Sequence, residues 1–76
     1  MQRSAIAAER FEKAVDDALR SIGENPKHFA TVKPNHRGCR LERFPFRVIY
    51  RIEAHRILVV AIAHAKRRPG YWKNRR

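Results

Sequence analysis

The chain is poor in the features that usually hold small domains together or carry them out of the cell. It has one cysteine, Cys39, in 76 residues. No internal disulfide can form from a single thiol, and a lone cysteine fits a reducing compartment. His28, His36, His55 and His64 lack the tight His/Cys spacing of a structural zinc site. No metal and no cofactor is expected. Long apolar runs are missing too. The longest, Ile57 to Ala63, falls well short of the roughly 20 residues of a membrane-spanning helix. The opening MQRSAIAAERFEK meets charge before any apolar core of secretory length. The expected location is the cytoplasm, with no membrane partner. Acidic residues are also scarce: seven Asp and Glu stand against 18 Lys and Arg, a formal net charge of +11. A field of that sign attracts polyanions and acidic proteins, and says little about fold.

What is present suits one small domain, residues 1–76. Apolar residues make up 43% of the chain, enough for a core. A domain of this length buries only about 60–65% of the surface its unfolded chain exposes, which points to a partner as its stabiliser.

The N-terminal part has helical period. Ala8, Phe11, Val15, Ala18 and Ile22 recur every three or four residues, and Ala14 and Leu19 widen the stripe. Glu9, Glu12, Lys13, Asp16, Asp17 and Arg20 fall largely elsewhere. Ser4 is a capping candidate, Gly23 a stop, and Asn25-Pro26 blocks continuation, so the helix is expected over about 5–22. Residues 24–38 read as loop, broken by Pro26, Pro34, Asn35 and Gly38, with Phe29 and Val32 as anchors to the core. From Cys39 the period becomes two. Cys39, Leu41 and Arg43 alternate with Arg40 and Glu42 until Phe44-Pro45-Phe46 bends the chain. Phe46, Val48, Tyr50 and Ile52 then alternate with Arg47, Ile49, Arg51 and Glu53. After a short turn at Ala54-His55, the run from Arg56 to Ala63 is apolar on both faces and is expected to be the central strand, covered on both sides. The expected fold is α+β: one N-terminal α-helix packed on a three-stranded antiparallel β-sheet, with a basic C-terminal tail. In that tail Lys66, Arg67, Arg68, Lys73, Arg75 and Arg76 surround Tyr71 and Trp72.

These pieces together resemble the RelE/ParE superfamily of toxins from type II toxin–antitoxin systems, and above all its ParE-like, plasmid-stabilisation branch. The resemblance rests on Asn25-Pro26 with Phe29, on Arg37 ahead of Arg43-Phe44-Pro45-Phe46, and on Tyr50-Arg51. It continues with His64 at the end of the last strand, then Arg67, Arg68-Pro69 and Trp72, and spans about residues 8–76. Superfamily members begin with a strand and a first helix that forms a hairpin with the second. This chain is expected to start inside that second helix. The consequence would be an exposed sheet edge and helix flank, and hence a homo-oligomer formed through that edge or along the helix's apolar stripe.

The resemblance implies a cognate antitoxin as partner, an acidic, partly disordered chain that wraps the toxin. It implies one of two targets: DNA gyrase for ParE-like members, or ribosome-bound mRNA for RelE-like members. Metal-free RNA cleavage needs cationic stabilisation of the phosphate and groups that move protons. The catalytic candidates for that case are Arg43, His64, Arg67 and Tyr71. The candidates for target or nucleic-acid binding are Arg40, Arg47, Arg51, Arg67, Arg68, Trp72 and Arg75. Arg43, Arg47 and Arg51 are spaced by four and share one face if the strand is continuous, with Arg40 out of phase. The row reads either as a phosphate-holding surface or as the solvent face of an amphipathic strand. His64 reads as a general acid/base or as a structural histidine, and Tyr71-Trp72 as catalytic or as an aromatic lid. Cys39 reads as a small buried hydrophobe. The strands contain no Lys, hence no obvious low-pKa amine, which tilts the reading toward a ParE-like growth inhibitor. An endoribonuclease and an inactive truncated family member are the alternatives.

Overall fold

In a computed structural model of the protein, residues 2–65 are described. The expected tail residues Arg67, Arg68, Tyr71, Trp72 and Arg75 lie outside them. The element order is α1 (Gln2–Glu24), β1 (Thr31–Lys33), β2 (His36–Arg40), β3 (Phe46–Ile52) and β4 (Ile57–His64). The α+β class expected from the sequence is the one observed.

The helix is longer than its stripe suggested. It starts at Gln2, so Ser4 lies within it rather than capping it, and it passes Gly23, around which there is open space. The last helical turn closes with the Asn25 amide donating to the Ser21 carbonyl at 3.0 Å. Pro26 then excludes Asn25 from further helix, because the residue before proline is pushed out of the α region. Ala14, Ala18 and Ile22 are buried, with Phe11 and Val15 packed beside them.

The sheet is a four-stranded antiparallel meander in the order β1-β2-β3-β4, one strand more than expected. The extra strand comes from the stretch expected to be loop. Pro34 and Asn35 do not break a strand there; they are the turn of a hairpin. Asn35 sits at φ 64°, and asparagine is one of the few residues that tolerate this left-handed conformation. Thr31 pairs with Arg37, and Lys33 with His36.

The expected β3–β4 hairpin is present. Its ladder runs from Phe46 opposite His64 to Ile52 opposite Ile57. A register shift between Ile49 and Tyr50 leaves Val60 as the extra residue on β4. At the turn, the Glu53 amide donates to the Arg56 carbonyl at 2.8 Å.

The expected central strand is not central. β2 and β3 hold the interior positions, with Val48, Ile49 and Tyr50 of β3 all buried, while β4 is the last strand of the described sheet. Being apolar on both faces tells what a strand needs covered, whereas connectivity decides where it sits. α1 packs mainly on β2 and β3. As a result Val59 and Ile62 of β4 stay 44% and 43% exposed.

Candidate functional site

Side chains alternate across the sheet, and the register sorts them into two faces. Cys39 opposite Val48 belongs to the core under α1, together with Tyr50, Leu41 and Phe46. Arg40 opposite Arg47, and Gly38 opposite Ile49, therefore lie on the outer face. Across the next ladder Ala63 and Ala61 join them.

The inner face is closed by two polar groups that hold the loop after α1. The Tyr50 hydroxyl donates to the Pro26 carbonyl. The Arg37 guanidinium donates to the Phe29 carbonyl at 2.7 Å and the Lys27 carbonyl at 3.2 Å. Pro26, Phe29, Arg37 and Tyr50 thus form one clamp that ties the helix exit to the sheet. Tyr50 is fully buried. Burial pushes its phenol above the ordinary value, and the positive field of Arg37 partly opposes that. Burial likewise raises the Cys39 thiol, so Cys39 stays protonated and packs as a small apolar group.

The outer face is cationic. Arg40 is exposed and Arg47 half-buried, directly across the ladder from each other. The sequence put Arg40 out of phase; the turn after β2 restores the phase, and it faces Arg47. Neither makes an ion pair or hydrogen bond among the described residues. Arg47 lies flat over Gly38: a Cβ added there would meet Arg47 Cδ and Val32 Cγ1, each at 2.9 Å. Val32 thus anchors the outer face, while Phe29 packs against the core as expected. Arg51 shares the outer face but is held by Glu53 at 2.8 Å, and Glu53 also pairs with Arg56 at 2.8 Å. The hydrogen bonds from Arg56 and then Arg51 hold the Glu53 carboxyl below the usual carboxylate range.

The arginine row does not extend to Arg43. That residue sits in the β2–β3 turn at φ 72°, an unusual conformation for a long side chain. It lines a cleft of about 550 Å³ against α1, with Arg10, Lys13, Asp17, Glu42 and Phe44. The turn is fixed from both sides. The Leu41 amide donates to the Phe46 carbonyl, and the Ala65 amide to the Pro45 carbonyl, both at 2.8 Å. His64 lies opposite Phe46 on the inner face, their rings edge-on at 5.2 Å. Phe46 in turn meets Phe11 edge-on at 5.8 Å. His64 is thus part of an aromatic stack on the face opposite the Arg40–Arg47 pair. Of the four catalytic candidates, Arg67 and Tyr71 lie outside the described residues, Arg43 lines the cleft against α1, and His64 stacks on Phe46. No group of His, Cys, Asp and Glu suited to a metal occurs among the described residues. No helix there is long and apolar enough to cross a membrane.

The domain is thus a helix on an antiparallel meander, locked by the Asn-Pro…Arg…Tyr clamp. The family described as "ParE toxin of type II toxin-antitoxin system, parDE" matches residues 1–69, and the chain belongs to it. Membership makes it a toxin component whose partner is a cognate antitoxin. No curated protein and no solved structure matches the chain.

Proposed function

We propose that the protein arrests growth in the cytoplasm by binding DNA gyrase, and that a cognate acidic antitoxin neutralises it. Membership of the ParE family supports the choice of target. The observation that carries the mechanism is the two-faced sheet. The inner face of β2 and β3 is filled by the helix, the clamp and the aromatic stack. The outer face presents paired arginines, and among the described residues no acid–base pair is seen beside them. Such a surface binds and holds; metal-free strand cleavage would need an acid and a base around one phosphate. A formal +11 charge speeds encounter with a DNA-bound or acidic target and with an acidic antitoxin. Arg67, Arg68, Trp72 and Arg75, which lie outside the described residues, complete the target-binding set we propose, and Arg67→Ala with Arg68→Ala should reduce toxicity.

Self-association belongs to the same proposal. β4 carries no Lys, Arg, Asp, Glu or Pro from Ile57 to His64, and uncharged margins of this kind readily accept another strand. Sedimentation at micromolar concentration should show a dimer or larger; a monodisperse species of about 9.0 kDa speaks against it.

The test of target is induction in a bacterial host, reading growth, gyrase-linked DNA breaks and ribosome-dependent mRNA cleavage in parallel. DNA breaks are expected. Cleavage of mRNA at ribosomes would replace this reading with the endoribonuclease one, and undisturbed growth would mark the chain as an inactive family member.

A further inference from the structure

We infer that Arg40 and Arg47 form a clamp for a nucleic-acid backbone, so that the protein itself grips a phosphodiester strand. This rests on the target-binding role of the outer face proposed above and goes further by naming the ligand.

Two arginines directly opposite each other on an antiparallel ladder have Cβ atoms only about 4.5–5.5 Å apart, and like charges so placed destabilise the sheet. Neither arginine is relieved by an acid among the described residues. Seven acidic side chains exist in the chain, and none pairs with this couple. Asp17 serves Lys13 and Arg20, and Glu53 serves Arg51 and Arg56. The repulsion is therefore built in and is relieved when an external anion sits between the two guanidinium groups.

Three features favour a phosphate polymer over an acidic protein segment. The floor beside the arginines includes Gly38 and Ala61, short residues that let an extended chain lie close to the sheet. β2 and β3 are each paired on both sides, so no main-chain edge is open there for a peptide strand to hydrogen-bond. Recognition must then come from charge and from guanidinium geometry, which suits phosphate oxygens. Arg51, on the same face about 13 Å further along β3, is already turned to Glu53. The clamp is the Arg40–Arg47 couple alone.

The experiment uses the purified full chain and a fluorescein-labelled single-stranded 12-mer of mixed sequence, read by anisotropy over a salt series. Arg40→Gln/Arg47→Gln is compared with Lys13→Gln/Arg20→Gln, which removes the same charge from the helix. The clamp requires at least tenfold weaker binding for the first variant and a shallower salt slope, by about 1–2, with less than a twofold change for the second. Equal losses in both variants would overturn it, since net charge alone would then explain binding. Poly-glutamate competing as well as unlabelled oligonucleotide at equal charge would also overturn it, in favour of an acidic protein ligand. Thermal melts separate this from misfolding: removing the like-charge couple should leave the low-salt melting temperature unchanged or higher. No gyrase is present, so the clamp and the target proposal fail independently.

Discussion

The two faces of one sheet obey opposite rules. On the inner face every polar group that is buried has a partner: Tyr50 and Arg37 spend their donors on the carbonyls of the loop at Pro26, Lys27 and Phe29. On the outer face Arg40 and Arg47 are set against each other with no acid paired to either among the described residues. Inner-face residues explain why the chain folds, and outer-face residues are better explained by what the fold presents. Both sets alternate along the same strands, so a one-residue slip in register would exchange them.

The largest expected effect comes from breaking the inner face. Tyr50→Ala empties a fully buried site and releases the loop after α1. Aromatic-to-alanine changes of this type cost about 3–5 kcal/mol, enough to unfold most of a domain this small; circular dichroism at 25 °C should show it. Tyr50→Phe keeps the packing and removes only the bond to the Pro26 carbonyl, at about 1 kcal/mol in a urea titration. A loss as large as that of the alanine variant would mean the clamp, rather than the core, governs stability. Because burial raises the Tyr50 phenol, its contribution is complete below the ordinary tyrosine pKa and is lost as pH rises through the raised folded value. Tyr50→Phe should therefore be less sensitive than wild type to alkaline unfolding.

Gly38→Ala tests the seam between the faces. The added methyl group meets Val32 and the Arg47 stem, and overpacking of this kind costs about 1–3 kcal/mol. Displacing Arg47 should also weaken anion binding, so stability and binding should fall together. Smaller again is Arg47→Gln on the outer face, which should gain about 0.2–1 kcal/mol at low salt by ending the repulsion with Arg40. The smallest effect is expected at Glu53. Its carboxyl is held below the usual range by Arg56 and Arg51, so its contribution is present above the unfolded carboxylate pKa and fades as pH falls through the lowered folded value. Glu53→Gln should differ from wild type near neutrality, and the two melting curves should converge in acid.

Much of this plan was legible in the chain. The 3–4 spacing from Ala8 to Ile22 marks α1, and the alternation from Phe46 to Ile52 marks β3, because each period reports one buried face. The strand order was not legible in composition. Ile57 to Ala63 is the most apolar run, yet β4 ends the described sheet, since a meander gives the interior positions to the strands paired on both sides, here β2 and β3. The Pro34-Asn35 hairpin was missed because turn residues at the centre of a short hairpin look like loop residues. Its signal was there: a proline that presets a turn and an asparagine that tolerates the left-handed conformation, between Thr31-Val32-Lys33 and His36-Arg37. The Arg40–Arg47 couple could not be found by counting along one strand. It depends on the cross-strand register, which the bend at Phe44-Pro45 resets.

The most direct test of the outer face as the working surface is gyrase-linked DNA cleavage in cells induced for wild type or for Arg40→Gln/Arg47→Gln at equal protein level. Breaks with wild type and their absence with the folded double variant are the expected result. Equal breaks from both would contradict it and move the working surface elsewhere on the molecule.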